Sequence, residues 1–175
     1  MRWLLVAILA YACLVVQTAA FRPGSLAVEF DGHWARPDLV LLLGLFFALA
    51  YEPKEVFVLA WALGMASDVV NVNGRLGILA LAFCLVLFLV SHVAASIPRT
   101  RLLAQFFLSL AVVFVVHTVW YIATRLLAGS SPLVLQSMEE GLLNALYSAV
   151  LAPYLFWAMN LLRTPLATAT EFPRE

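Results

Sequence analysis

With 175 residues, of which 65% are hydrophobic and 11% charged, the chain carries less than half the roughly 25% charge of a soluble domain. A water-soluble protein of this length could not hide so much apolar surface, so the composition excludes a soluble domain and makes a bilayer the solvent. The 10 Lys+Arg balance the 10 Asp+Glu, and no basic run points to nucleic acid or to anionic-lipid targeting.

One spanning helix takes about 20 mostly apolar residues, and six apolar blocks follow one another along the chain. The first runs from Trp3 to about Phe21, behind Arg2 and ending on Thr18-Ala19-Ala20. Those flanks resemble a cleavable signal peptide. The block is nevertheless long enough to span, so a retained helix is the simpler reading. Residues 22–37 are the longest polar segment, punctuated by Pro23-Gly24, Asp31-Gly32 and Pro37. The second block is Asp38 to Tyr51, with Pro37 at a helix start, where its missing N–H costs nothing. Glu52-Pro53-Lys54-Glu55 breaks it from the third block, Val56 to Val70, and Asn71-Val72-Asn73-Gly74 suits a helix C-terminus. Both blocks fall short of 20 residues, so they borrow flanking residues or form a hairpin that does not quite cross the core.

The fourth block, Leu76 to Ile97, stops at Pro98-Arg99-Thr100-Arg101. The fifth, Leu102 to about Leu127, is long enough to tilt, and Gly129-Ser130-Ser131-Pro132 makes a loop after it. The sixth runs from about Met138 to Leu162, with Pro153 as a kink that neighbouring helices can accommodate. The expected organisation is an all-α polytopic bundle of six transmembrane helices, a single membrane domain over residues 1–162 and a short cytoplasmic tail over 163–175. Lys and Arg set the orientation. With the N-terminus inside, six of them (Arg2, Lys54, Arg99, Arg101, Arg163, Arg174) lie on the cytoplasmic side and four (Arg22, Arg36, Arg75, Arg125) outside. Both termini are therefore expected in the cytoplasm.

Few residues carry chemistry. Asp68 is the most informative charge, because an acidic group near the hydrocarbon core is expensive and usually faces protein. It is either an interfacial carboxylate, paired with Arg75 or capping the fourth helix, or a directly functional group. Ala60, Gly64 and Gly77 allow close helix approach. His117, Tyr121 and Arg125 share one face of the fifth helix at i, i+4 and i+8. No second His or Cys stands at metal-ligand spacing, so no metal site is expected. Cys13 and Cys84 share no CxxC and read as packing residues. Glu139-Glu140 resembles the paired glutamates of CAAX-type intramembrane proteases but lacks the Arg that should follow. Gly129-Ser130-Ser131 has no GxSxG frame, and no cofactor fingerprint is present. No enzyme and no cofactor are expected.

Three stretches resemble the family of the bacterial rod shape-determining protein MreD. They are Arg36-Pro37-Asp38-Leu39-Val40-Leu41-Leu42-Leu43, the break Tyr51-Glu52-Pro53-Lys54-Glu55, and Gly64-Met65-Ala66-Ser67-Asp68 followed by a polar loop and Leu76-Gly77-Ile78-Leu79-Ala80-Leu81. The family pattern is a Gly, an Asp near the helix end, a loop, and Leu-Gly leading into an Ala-Leu helix. Pro37, Asp38, Gly64, Asp68 and Gly77 carry it here over residues 36–90. Several relatives have His after Leu-Gly, where this chain has Ile78, so no role of that His carries over. The resemblance implies a non-catalytic subunit of the cell-elongation machinery in the cytoplasmic membrane. Its partners would be the bitopic protein MreC, the actin-like MreB, and a peptidoglycan glycosyltransferase with its transpeptidase. The family is also similar in helix count and size to substrate-binding subunits of energy-coupling-factor vitamin transporters, so a small-solute uptake subunit is the alternative.

The expected topology sorts the polar groups by depth. Gln17 and Asp68 lie near outer helix ends. His117 is about 15 residues into the fifth helix, roughly 22 Å from its cytoplasmic start at 1.5 Å per residue. Tyr121 is one turn further out, and Asn144 and Ser148 occupy the first turns of the sixth helix. Ser91, His92 and Asn160 lie near the cytoplasmic ends. Buried polar groups in lipid need partners, so the expectation is a polar, outward-opening cavity lined by Asp68, His117, Tyr121 and Asn144. The other possibility is that each group snorkels separately to the headgroups.

Overall fold

The computed structural model describes residues 2–19, 28–30, 33–70, 76–94, 102–127 and 134–167. Six helices fill most of this: α1 (Arg2–Ala19), α2 (Leu39–Ala50), α3 (Pro53–Val70), α4 (Ile78–Val93), α5 (Leu102–Leu127) and α6 (Val134–Ala167). The loops expected at 71–74, 98–101 and 129–132, and Arg75 as a partner for Asp68, lie outside the described residues. So do positions 22–27 of the polar segment.

That polar segment departs from the all-α expectation. Val28–Phe30 (β1) and His33–Ala35 (β2) pair as an antiparallel ribbon, with Val28 opposite Ala35 and Phe30 opposite His33. Asp31-Gly32, expected as punctuation, lies outside the described residues. The strands escape a reading of the sequence because each has only three residues, too few for a visible period-2 pattern. At the other end, α6 continues through Ala167, five residues past the expected end of the membrane domain at 162.

Helix α2 is the centre of the bundle. It packs against α1, α3, α4, α5 and α6, and Val40, Leu41, Leu42, Leu43, Leu45 and Ala48 have no exposed surface at all. A helix apolar all round is one that is enclosed all round. It has 12 residues, about 18 Å at 1.5 Å per residue, which is short of the roughly 30 Å hydrocarbon core. A helix this short does not cross that thickness alone, and an end left in hydrocarbon would need protein around it.

The outside of the bundle is apolar where a soluble protein would be polar. Leu81, Leu85, Phe107, Tyr154, Trp157 and Leu161 are all well exposed. Helix α5 and the Gly141–Leu161 part of α6 are long and apolar enough to cross a membrane.

Helices α3 and α4 make the tightest pair. A Cβ added at Gly64 would stand 2.4 Å from the Ala80 Cα, so only glycine lets the two backbones approach this closely. Gly77 precedes α4 with φ of 97°, the left-handed region that costs a Cβ-bearing residue roughly 1–2 kcal/mol.

Candidate functional site

One end of the bundle gathers the end of α1, the start of α2, the end of α3, the start of α4, the C-terminal half of α5 and the N-terminal half of α6. Two buried helix starts lie there, and each presents backbone N–H groups with no partner inside its own helix. Without water those groups must find side chains.

At the start of α2 they find four. Asp38 caps its own helix: its Oδ1 accepts from the Leu41 N–H at 3.1 Å. The Asp38 N–H donates to Ser148 Oγ at 2.9 Å, and the Arg36 N–H donates to Asn144 Oδ1 at 2.8 Å. The Val40 N–H donates to Gln17 Oε1 at 3.3 Å. Polar residues of α1 and α6 therefore hold the start of α2, with Ser148 fully buried.

At the start of α4 one carboxylate does the same work. Asp68, on the last turns of α3, accepts from the Gly77 N–H at 2.9 Å and the Ala80 N–H at 3.1 Å through Oδ2, and from the Leu79 N–H at 3.4 Å through Oδ1. Gly64 makes this reach possible, because it brings the Ala80 backbone against α3. Negative charge at a helix N-terminus also opposes the macrodipole favourably.

Between the two starts lies a cavity of about 260 Å³. Its polar wall includes Gln17, Asp38, His117, Tyr121 and Asn144, and Leu14, Pro37, Val70 and Leu79 add apolar surface. Of the four residues expected to share one pocket, His117, Tyr121 and Asn144 do line it. Asp68 does not, because its carboxylate turns to the α4 backbone. Asp38, which the sequence placed only in a helix-start motif, supplies the cavity's carboxylate instead, with Oδ2 3.6 Å from His117 Nε2. Ser67 and Trp120 also line it and were missed. Arg125 lies with its guanidinium 5.3 Å from the Tyr121 ring centre, a cation–π contact along the expected face of α5.

The wall holds unused hydrogen-bonding capacity. Among the described residues, the buried side-chain nitrogen and oxygen atoms without a partner are Ser67 Oγ, His117 Nε2 and Trp120 Nε1, and all three residues line this cavity. Buried polar atoms are normally paired, so these three, Ser67 from α3 and His117 and Trp120 from α5, leave hydrogen-bonding capacity unused in residues that line one cavity.

Compared with known proteins, the chain matches the family model described as rod shape-determining protein MreD over residues 1–162. No curated protein and no solved structure matches it.

Proposed function

Because this chain belongs to the family of the rod shape-determining protein MreD, we propose that it is a six-span scaffold of the cytoplasmic membrane, with both termini in the cytoplasm, serving cell elongation. Membership makes it a rod-shape-determining membrane protein of the system that includes MreB and MreC, in a non-catalytic family. The finer reading is that its helix faces hold an MreC-like single-pass protein beside a peptidoglycan glycosyltransferase and its transpeptidase, with an MreB-like filament on the cytoplasmic side. The observation that carries this reading is the apolar exterior. Leu81 on α4 and Tyr154 on α6 are each more than 70% exposed, and helix faces are the surface the chain has to offer a partner.

The experiment is photo-crosslinking in living cells from residue analogues placed at Leu81, Leu85, Tyr154 and Trp157. At least one face is expected to capture the MreC-like protein. Capture of lipid alone from all four positions sinks the scaffold reading. The cavity between α2 and α4 favours a second reading, a small-solute uptake subunit. Loss of uptake of one nutrient on depletion, with cell shape unchanged, would establish that one instead.

A further inference from the structure

We propose that the cavity between the starts of α2 and α4 is a binding site for an uncharged polyhydroxyl group. The inference goes beyond the scaffold reading and does not depend on it.

The electrostatics decide the charge of the ligand. Two helix N-termini end at this level, and each carries roughly half a positive charge. Each is already answered by a carboxylate: Asp38 on α2 and Asp68 on α4. An added anion would meet the Asp38 carboxylate, which faces the cavity with only 7% of the residue exposed. An added cation would meet Arg36, which also lines the cavity, and a set of donors. Trp120 Nε1 can only donate. Gln17 and Asn144 have their amide oxygens committed to the Val40 and Arg36 N–H groups, which leaves the amide nitrogens of both as donors.

The hydrogen-bonding inventory decides the chemistry. Unused donors are the Trp120 N–H, the two amide NH₂ groups and the Ser67 hydroxyl. Asp38 Oδ2 is an acceptor, and His117 Nε2 stands 3.6 Å from it, beyond a good hydrogen bond. A ligand that satisfies both sets must donate and accept from the same small volume, as hydroxyl groups do. Ser67 is the strongest single pointer. It is only 7% exposed, its Oγ has no partner, and it lines the cavity. The 260 Å³ volume lies just below the roughly 300 Å³ at which small-molecule sites begin.

The group could be a free sugar or the headgroup of a glycolipid, and one experiment separates them. The full chain is placed in phosphatidylcholine nanodiscs prepared without glycoside detergent, and its melting temperature is followed with glucose, glucosamine or glucuronate. These probes keep one ring and change its charge. A parallel set of nanodiscs contains monoglucosyl diacylglycerol, and lipid retained by the protein is read by native mass spectrometry. Binding to the folded state raises the melting temperature by mass action.

A saturable rise with glucose, well above that with either charged sugar, establishes a free-sugar site. Retention of the glucosyl lipid, with loss of the free-glucose response, establishes a headgroup site. In either case Trp120→Phe, which removes the N–H and keeps an aromatic ring, should weaken binding roughly 3- to 10-fold, the worth of about one hydrogen bond. Ser67→Ala should do the same. Since Ser67 Oγ has no partner in the unliganded protein, Ser67→Ala should melt no lower than the parent without ligand, which a merely structural role does not predict; Trp120 packs against the core, so Trp120→Phe is read by its binding alone. Trp157→Phe on the exposed face is the control and should bind unchanged. No response to glucose and no retained glucosyl lipid, or a larger response to a charged sugar, overturns the proposal and leaves the cavity to water.

Discussion

Asp38 and Asp68 stand thirty residues apart and solve one problem, the buried start of a helix. Asp38 caps α2 from within, and Asp68 caps α4 from the neighbouring helix. The family-motif residues read as parts of these two devices: Pro37 and Asp38 begin α2, while Gly64, Asp68 and Gly77 join α3 to α4. Asp68→Ala orphans three N–H groups, two of them buried, and should cost about 2–3 kcal/mol, measured by denaturant unfolding in a bilayer mimic. Asp68→Asn keeps an acceptor oxygen and should cost less. Gly64→Ala drives a methyl group to 2.4 Å from the Ala80 backbone, so α3 and α4 must separate, at about 1–3 kcal/mol. Of this, the sequence showed that Asp68 was embedded and that it could cap the fourth helix. It did not show which residue of the pair Ser67-Asp68 faces the cavity. Consecutive helical residues point about 100° apart at 3.6 residues per turn, so Ser67 and Asp68 serve different sites, and helix rotation is absent from a hydropathy pattern that is apolar on nearly every face.

At the level of elements, the apolar blocks map one to one onto the helices, closely at α2 and α5 and with bounds four to five residues off at α6, because lipid solvent demands long uninterrupted runs. Asp38 to Tyr51 became Leu39–Ala50, and Leu102 to Leu127 kept both bounds. What the blocks could not reveal was which helix is central, since lipid-facing and core-facing leucines look alike in composition. The structure distinguishes them. Leu42 on α2 has no exposure, and Leu85 on α4 is 62% exposed. Leu42→Ala should cost about 2–5 kcal/mol through the cavity it leaves, whereas Leu85→Ala should stay within about 0.5 kcal/mol. Reversible unfolding of the two variants side by side measures this. Similar losses at both positions would mean that α4 is buried in an assembly or that α2 is not the centre. The ribbon β1–β2 is the element that hydropathy hides altogether, because strands of three residues are too short for a visible period-2 pattern.

For the whole molecule, the Lys and Arg distribution predicts the orientation that the proposed function requires. Single cysteines at positions 25, 100 and 168, in a chain whose Cys13 and Cys84 are replaced by Ala, test it. An impermeant reagent outside the cell should label position 25 and neither of the others. Labelling of 168 without 25 reverses the orientation, and with it the side on which the cavity opens. The apolar exterior, the enclosed α2 and the family membership together support the proposed scaffold, whose work would be done by surfaces within the bilayer. The most direct measurement of that claim is depletion of the protein from the rod-shaped cells that make it, followed by microscopy and by nutrient-uptake assays on the same culture. The cells should widen and round up while uptake per unit of membrane is unchanged. Cells that keep their rod shape and lose uptake of one solute would contradict it.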